Sequence, residues 1–390
     1  CKVNQYDTQS IRERFLSHKF KEVKTGKADT YLINTCTVTQ TADSKSREVI
    51  RRCVKENPKA KIIVTGCLVK RDSSMVSQIK GVSLIVSKSF FSDGISGFSG
   101  HTRAFLKVQD GCNNFCSYCK VPLVRGRSKS RPVTEIVKEA EGLARKGFKE
   151  IVLTGICLGA YGRDLKGKPD LAKVISALEK IKGILRLRLS SIEAGDVTDS
   201  LIRKLKNSKK LCPHLHIPIQ SGDDGILKKM KRRYSRIFYI NLIKKIRKNV
   251  PSIAITTDCL VGFPGETEKS FSNTLSLIKK ITPLKVHIFP YSPRKGTYAA
   301  ENFKVLVPSH IIKERSERLR AWASLCRKKF IGKFKGKKIP VIFEGLSKIN
   351  PNYWEGYSHN YIKVFLKSKK ALHNRLIDIT LQDKHLSLPS

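Results

Sequence analysis

Acidic side chains are scarce in this sequence relative to basic ones. The 390 residues include 77 Lys and Arg but only 32 Asp and Glu, which gives a formal net charge of +45. A charge excess of this size favours a polyanionic partner, and nucleic acid is the obvious candidate. A lysine-rich proteome would produce the same imbalance, and charge alone gives affinity without sequence recognition.

Long hydrophobic runs and a recognisable signal peptide are also missing. No apolar run approaches the roughly 20 residues that a membrane-spanning helix needs. We therefore expect a cytoplasmic protein without membrane association. In a reducing cytoplasm, the eleven cysteines favour metal binding or catalysis over disulfide bonds.

A fourth cysteine is absent from the most informative stretch of the chain. Cys112, Cys116 and Cys119 are spaced C-x3-C-x2-C, and residues 120–126 lack the further cysteine of a ferredoxin run. Three ligands on a four-iron cluster leave one iron open to a small chelating ligand, which favours chemistry over electron storage. The alternative is a zinc knuckle or three buried thiols, although zinc sites usually close with four protein ligands.

The pattern of apolar and polar residues predicts an α/β protein in three parts. Residues 1–98 are predicted to form a small N-terminal parallel α/β domain. In residues 102–325, six strands alternate with helices, which indicates a parallel sheet with helices outside it. Residues 326–390 carry short strands and are predicted to be all-β. Strands are expected over 31–36, 61–67, 83–87, 105–109, 150–154, 185–190, 214–219, 253–261, 285–289, 339–344, 361–366 and 376–381, and helices over 7–20, 42–55, 133–146, 171–182, 198–206, 236–248, 268–281 and 311–330.

Three more cysteines occupy related places in the first domain. Cys36 and Cys67 end two predicted parallel strands, and ligands gather at the carboxyl ends of such strands. With Cys1 they could converge at one edge and hold a second cluster. Buried structural thiols fit equally well on the sequence alone, because cysteine behaves as a small hydrophobe. Cys53 lies in the middle of a predicted helix and matches no motif.

Polar residues and glycines follow the strands of the second part. A glycine-rich turn at 155–162 allows backbone groups to approach a ligand closely. A lone strand histidine such as His216 is as often a satisfied core residue, and Cys157 is expected to be a pocket neighbour and not a ligand. The candidate ligand-binding residues at these strand ends are Gly155, Glu193, His216, Gln220, Asp258, Gly262 and Gly265.

These motifs together resemble the radical SAM methylthiotransferases, over nearly the whole chain. The resemblance rests on Lys107–Cys119, on Arg125–Pro132 and on the later strand ends. It implies a partial (βα)6 radical SAM barrel for the second part and a TRAM-like barrel, a small RNA-binding β-domain, for the third. The family usually has a short strand before its first cysteine, so we expect the natural chain to begin before Cys1.

The resemblance also implies the cofactors, which are two [4Fe-4S] clusters and S-adenosylmethionine (SAM). The cluster at Cys112, Cys116 and Cys119 would bind SAM and release a 5′-deoxyadenosyl radical. An auxiliary cluster would deliver sulfur from the second trio, which is Cys1, Cys36 and Cys67. The strand-end candidates listed above would contact SAM.

Within that family, the sequence is similar to the branch that methylthiolates C2 of N6-threonylcarbamoyladenosine at position 37 of tRNA. Basic residues would pair with the carboxylate of the threonylcarbamoyl group, and tyrosines would stack on bases, unless they are only core or surface spacers. The basic residues are Arg125, Arg127, Lys129 and Arg131, and the tyrosines are Tyr357 and Tyr361.

The expected partners are a tRNA anticodon stem-loop and an electron donor such as flavodoxin or ferredoxin, and the chain is expected to be a monomer. Three alternatives stay open. Two are methylthiolation of isopentenyladenosine-37 in tRNA and of a ribosomal-protein aspartate. The third is a non-catalytic RNA-binding iron–sulfur protein.

Overall fold

The N-terminal domain is a three-stranded parallel sheet flanked by helices. The structure, a computed structural model, describes residues 1–23, 26–87 and 94–388. Strand order is β1-β2-β3. The elements are α1 (Lys2–Ser17), β1 (Thr30–Thr35), α2 (Gln40–Glu56), β2 (Lys61–Gly66), α3 (Cys67–Arg71), α4 (Ser73–Ser77) and β3 (Leu84–Ile85).

The second domain is an open barrel of six parallel strands. Two three-stranded sheets, β4-β7-β8 and β9-β10-β11, are joined through the parallel bridges Leu187–Leu211 and Ser191–His216. The elements are β4 (Arg103–Lys107), β5 (Gln109–Asp110), α5 (Val121–Arg125), β6 (Lys129–Ser130), α6 (Val133–Arg145), β7 (Glu150–Thr154), α7 (Leu171–Glu179), β8 (Arg186–Leu189), α8 (Asp199–Asn207), β9 (His214–His216), α9 (Asp224–Lys229), α10 (Arg236–Asn249), β10 (Ala254–Val261), α11 (Glu268–Ile281), β11 (Lys285–Pro290), α12 (Tyr298–Asn302) and α13 (Ser309–Gly332).

Local chemistry explains where the barrel helices begin. Asp170, Thr198, Ser235 and Thr267 each accept a hydrogen bond from the backbone N–H three residues on, which satisfies a donor that the first turn leaves free. The apolar side of each helix packs on the strands in one large core cluster. Among the described residues, no helix is both long enough and apolar enough to cross a membrane.

The C-terminal domain is an antiparallel four-stranded sheet with the order β14-β13-β12-β15. Its strands are β12 (Lys338–Leu346), β13 (Tyr353–Ser358), β14 (Lys363–Lys367) and β15 (Leu376–Thr380). Their apolar face packs on Phe330 and Phe334 at the end of α13. The mixed α/β fold, with a parallel open barrel and a terminal all-β unit, is confirmed.

Most predicted bounds agree with the structure to within a few residues. The following details either differ or were not predicted from the sequence. Helix α1 begins at Lys2 and not near residue 7, so Cys1 immediately precedes it. Strand β13 was not predicted. Cys36 follows β1, and Cys67 opens α3 instead of ending a strand. Glu266 lies before α11, where its buried carboxylate accepts a hydrogen bond from Gly262 N–H and pairs with Arg315.

Buried ion pairs join α1 to the barrel. Asp7 lies 2.8 Å from Lys107 Nζ on β4 and 3.1 Å from Arg125 Nη2. Tyr6 of the same helix donates its hydroxyl hydrogen to Glu139 on α6, 2.9 Å away. These contacts fix the start of α1, and with it Cys1, against the barrel.

A second buried network joins the barrel to the C-terminal domain. Glu150 is 1% exposed and lies 2.9 Å from Arg188 Nε, 3.7 Å from Arg186 and 3.8 Å from Arg103. Arg186 also donates to the carbonyl of Pro340 at 2.7 Å and to that of Tyr357 at 3.0 Å. One carboxylate therefore holds the side chains that dock the third domain.

Replacing Glu150 with Gln should lower the free energy of unfolding by about 3–5 kcal/mol, because it leaves buried guanidinium groups without a carboxylate. Burial alone would raise the pKa of Glu150, but Arg188, Arg103 and Arg186 hold that pKa below its usual value. The stabilisation is therefore complete above the unfolded-state pKa of about 4.3 and disappears as pH falls through the folded-state pKa.

Urea unfolding of both proteins from pH 7 downward measures this difference. The exposed Glu141→Gln is the control and should unfold like the wild type. A Glu150→Gln protein as stable as wild type at pH 7 would contradict the prediction.

Candidate active site

The loop that carries the first cysteine trio lies between β5 and α5. It begins at Gly111, which has φ +71°, and a Cβ there would lie 2.0 Å from the carbonyl oxygen of Arg127. Only glycine permits this approach. The neighbouring Cys112 N–H donates to the carbonyl of Gly126 at 3.1 Å. The loop is thereby folded back on residues 126–127.

Donors surround the sulfur atoms of this loop. Asn114 N–H points to Cys112 Sγ at 3.4 Å, and Arg232 Nη1 donates to Cys116 Sγ at 3.2 Å. Arg232 also pairs with Glu193. Hydrogen bonds to thiolate sulfur are among the features by which a protein tunes a bound iron–sulfur cluster.

Cys157 lies beside the trio, as predicted for a pocket neighbour. A hydrogen bond from its thiol lowers the pKa of Cys112 to about 7, and the same contact raises the pKa of Cys157. Burial raises the pKa of Cys119 to about 12. The sulfurs of Cys112, Cys116 and Cys119 do not all lie within 4.8 Å of one another. Such a set does not close around a single ion, whereas three thiols from one loop are a donor set that iron–sulfur clusters use.

The second trio lies at one edge of the N-terminal sheet. Thr35 and Gly66 are opposite each other in the β1–β2 register, so Cys36 and Cys67 follow neighbouring strand ends. Gly66 has φ +108°, and a Cβ there would lie 2.4 Å from the Thr35 carbonyl oxygen. Asn4 of α1 donates to that same carbonyl at 3.2 Å. The helix that Cys1 precedes is thus held at the edge where the other two cysteines emerge.

A cavity of about 590 Å³ occupies the barrel lumen. Residues from all three domains border it, including Cys1 of the N-terminal domain, Gly155, His216 and Asp258 of the barrel, and Tyr361 of the C-terminal domain. This volume is in the ordinary range for a small-molecule site.

The lumen contains a cluster of polar residues. Nε2 of His216 lies 3.1 Å from Asp258 Oδ1, and its Nδ1 lies 2.9 Å from Thr256 Oγ1. His216, Asp258 and His287 each place one possible metal-ligand atom within 4.8 Å of the others. Among the described residues, this is the only such set of three His, Cys, Asp or Glu side chains. Both ring nitrogens of His216 thus have partners, which fixes the orientation of the ring.

The other candidate ligand-binding residues differ in whether they border a cavity. Glu193 borders a second cavity of about 260 Å³ together with Cys116 and Arg232. Gln220, Gly262 and Gly265 border neither of these two cavities. Burial raises the pKa of Glu193, an effect that Arg232 opposes.

The structure places the four basic residues that were predicted to meet the substrate in two different settings. The Arg125 side chain is 3% exposed and pairs with both Asp7 and Asp110, the latter at 2.9 Å. Arg131 lies 2.7 Å from Glu139. Both guanidinium groups are thus occupied by carboxylates, and the Arg125–Asp7 pair joins the barrel to α1. Arg127 and Lys129 are exposed and do not border the lumen cavity.

The two tyrosines lie at the junction between barrel and C-terminal domain, and not on an outer face. Tyr361 stacks on His214 with ring centroids 4.5 Å apart, and on Tyr357 with centroids 5.1 Å apart. Arg188 lies over the Tyr361 ring at 4.6 Å. In this position the rings do not form a surface platform for RNA bases. Tyr361 borders the lumen cavity.

Four lumen residues escaped the sequence analysis. A signal existed for Arg188, because the charged side chains of Arg186 and Arg188 alternate within the predicted strand 185–190, which places both on one face of it. No local pattern marked the others. The missed residues are Lys2, Arg103, Arg188 and His287.

Two family models match the chain. The Radical SAM superfamily model matches residues 106–278, and the Uncharacterized protein family UPF0004 model matches residues 1–87. Among solved structures, a radical S-adenosylmethionine methyltransferase, TsrM from Kitasatospora setae, has a TM-score of 0.54 with 12% identity over 77% of this chain and 73% of that chain. That similarity supports the fold.

Curated relatives extend over nearly the full length. The Threonylcarbamoyladenosine tRNA methylthiotransferase MtaB of Bacillus subtilis is 37% identical over 98% of this chain and 92% of the relative. The protein of the same name from Chlamydia pneumoniae is 38% identical over 93% of this chain and 89% of the relative. A tRNA-2-methylthio-N(6)-dimethylallyladenosine synthase of Acetivibrio thermocellus is 32% identical over 98% and 86%.

The Arg232–Cys116 contact predicts a shift in reduction potential. Arg232→Met should make the potential of a cluster assembled on the first trio more negative by about 60–130 mV, because a hydrogen bond to a charged group contributes about 1.5–3 kcal/mol and a positive charge is lost. An anaerobic redox titration followed by electron paramagnetic resonance measures it.

The control is Arg320→Met, which removes an exposed arginine of α13 that does not border the second cavity and should leave the potential at its wild-type value. A potential that is the same in Arg232→Met as in wild type would show that the contact does not act on the cluster.

Proposed function

The chain belongs to the radical SAM tRNA methylthiotransferases, and from that membership we propose how its own residues carry out the reaction. The substrate is N6-threonylcarbamoyladenosine at position 37 of tRNA, and the product carries a methylthio group at C2. The observation that carries the proposal is one lumen cavity, bordered by Cys1 of the second trio and lying at the strand ends where the first trio is held.

The cofactors follow from the family and from the donor sets. When bound, a [4Fe-4S] cluster on Cys112, Cys116 and Cys119 together with SAM would supply the one-electron chemistry that breaks an inert aromatic C–H bond, and a second [4Fe-4S] cluster on Cys1, Cys36 and Cys67 would supply sulfur. Because the loop offers only three sulfurs, one iron of such a cluster would have no cysteine ligand and would be available to SAM.

The chain's own residues position the substrate and exclude water. We propose that the flipped-out adenine enters the lumen, where His216 is fixed by Asp258 and Thr256 and can serve as an oriented hydrogen-bonding group. Gly155 lets the end of β7 pack closely on Gln109, since a Cβ there would lie 2.8 Å from Gln109 Oε1, and it borders the lumen cavity, where its backbone is proposed to approach SAM. Residues of α1 and Tyr361 border the lumen and would limit the access of solvent to a bound base.

RNA binding outside the cavity is proposed to involve the exposed Arg127 and Lys129. Both flank the cysteine loop, and the net charge of +45 favours contact with the phosphate backbone. Such contacts position the RNA without reading its sequence. We further propose that the chain acts as a monomer in the cytoplasm and takes electrons from a flavodoxin- or ferredoxin-type donor.

The competing functions are less well supported. The reported relative that acts on dimethylallyladenosine, which is isopentenyladenosine, shares 32% of its residues, against 37% and 38% for the two threonylcarbamoyladenosine enzymes. Family membership makes the chain an enzyme, which sets aside the non-catalytic RNA-binding alternative. Action on a ribosomal-protein aspartate has no observation in its favour.

The two cysteine trios should have separable roles. Reconstituted wild type should hold about eight irons, and Cys112→Ala or Cys67→Ala about four, as expected for two four-iron cubes. Cys112→Ala should form no 5′-deoxyadenosine from SAM with dithionite. Cys67→Ala should still form it but make no methylthiolated tRNA.

Cys53→Ala, which removes a buried thiol in α2, is the matched control and should behave as wild type in both assays. Full iron content in both trio variants would sink the cluster assignment, and normal product from Cys67→Ala would refute the division of roles.

The wild-type enzyme should methylthiolate an anticodon stem-loop with threonylcarbamoyladenosine at least about tenfold faster than one with dimethylallyladenosine. Only the threonylcarbamoyl group has a carboxylate that can make a charge-assisted contact with a basic side chain. Competition between the two stem-loops, followed by nucleoside mass spectrometry, measures the ratio.

In the same competition, Arg127→Glu should slow both substrates alike, because a phosphate contact does not distinguish them. Equal turnover of the two stem-loops by the wild type would remove the reason for assigning the threonylcarbamoyl substrate.

A further inference from the structure

We propose that Lys2, Arg103 and Arg188, with the hydroxyl of Tyr361, form a carboxylate-binding site in the lumen that selects the threonylcarbamoyl group. This inference deepens the proposed function and rests on it. It assigns recognition of the carboxylate to residues inside the barrel, and not to the basic residues of segment 125–131 that the sequence analysis suggested. These four residues are called the carboxylate site below.

Three separate elements bring the cations to one place. Lys2 comes from the first turn of α1, Arg103 from the start of β4 and Arg188 from β8, and all three border the 590 Å³ cavity. Tyr361 ties the two arginines together, with guanidinium carbons 5.7 Å and 4.6 Å from the centre of its ring. The site therefore requires all three domains to be assembled.

The internal carboxylates do not neutralise this group of cations. Arg188 pairs with Glu150 at 2.9 Å, and Arg103 pairs with Glu344 of β12 at 2.6 Å. Lys2 has no carboxylate within 4.0 Å among the residues that the structure describes. Asp258 also borders the cavity, but it lies 3.1 Å from His216. The Lys2 ammonium is therefore left without a direct carboxylate partner, which a bound anion would supply.

The protonation behaviour of Tyr361 agrees with an excess of positive charge around it. Burial alone would raise the pKa of Tyr361, but Arg103, Arg188 and Lys2 bring that pKa below its usual value. A lowered tyrosine pKa is the response expected where anionic forms are stabilised.

The chemistry of the threonylcarbamoyl group matches this site. Its carboxylate can accept hydrogen bonds from an ammonium, a guanidinium and a phenol together, and guanidinium groups are well suited to carboxylates. The walls between the site and His216 include Phe105 and Val152, against which the aliphatic part of the substituent can pack. A dimethylallyl group would leave the Lys2 charge without a partner in a partly desolvated cavity.

Two other anions could occupy such a site, namely an RNA phosphate and the carboxylate of SAM. The lumen lies inside the barrel and is shaped for a base and its substituent, which disfavours a backbone phosphate. SAM is expected near the cysteine loop at the carboxyl ends of the strands, whereas Arg103 opens β4 at its amino end. The threonylcarbamoyl carboxylate is therefore the anion that the position of the site favours.

The test compares binding of three anticodon stem-loops to the reconstituted holoenzyme under anaerobic conditions. They carry threonylcarbamoyladenosine, its neutral methyl ester, or dimethylallyladenosine at position 37. Fluorescence anisotropy gives Kd for each with wild type, Lys2→Gln, Arg103→Gln and Tyr361→Phe. Lys269→Gln, an exposed lysine on α11, is the matched control, and iron content and SAM affinity are measured for every variant.

Wild type and Lys269→Gln should bind the acid about tenfold to a hundredfold more tightly than the ester. Lys2→Gln and Arg103→Gln should reduce that preference to less than about threefold while the Kd of the ester stays unchanged, and Tyr361→Phe should reduce it partly. Lys2 lies at an accessible helix start, so its variant remains informative if Arg103→Gln does not fold.

Equal binding of acid and ester by wild type would overturn the proposal. So would variants that lose acid and ester equally, which would indicate a phosphate contact, or variants that lose SAM affinity instead. Failure of the proposed function would give a different result from failure of the carboxylate site. In that case the enzyme would still bind the acid more tightly than the ester but would form no methylthiolated product.

Discussion

Buried ion pairs between domains determine the geometry of this enzyme. Asp7 joins α1 to Lys107 and Arg125 of the barrel, and Asp43 of α2 pairs with Arg294 at 2.8 Å beyond the last barrel strand. Burying such pairs costs desolvation energy, so their net contribution to stability is small. Their effect is positional, because they hold the edge with Cys1, Cys36 and Cys67 against the open side of the barrel.

That placement brings residues of all three domains to the border of one cavity. The barrel strands bring the first trio and the glycine turn to their carboxyl ends, as expected for barrel active sites. Helix α1 delivers Cys1 from the side, and the C-terminal domain delivers Tyr361 from the opposite end. No single domain contains the reaction site, so assembly of the three is part of catalytic preorganisation.

Local sequence patterns predicted the elements well and their long-range partners poorly. Residues 268–281 were predicted as a helix and form α11 with the same bounds, because capping and apolar periodicity are local signals. The burial of Arg125 could not be predicted, since Asp7 is 118 positions away in sequence. A run of arginines has the same local appearance whether it faces RNA or a carboxylate on another helix. The position of Lys2 in the lumen depends likewise on how α1 docks.

The sharing of Glu150 among three arginines also constrains how this lineage can diverge. Loss of Glu150 leaves buried guanidinium groups without their shared carboxylate, so its replacement is strongly disfavoured while the arginines are present. Neutral drift at these positions is therefore restricted, and the set is expected to be inherited or exchanged as a block. Since two of the arginines also border the lumen, a change of tRNA substrate along this lineage would require several coordinated replacements rather than a gradual series.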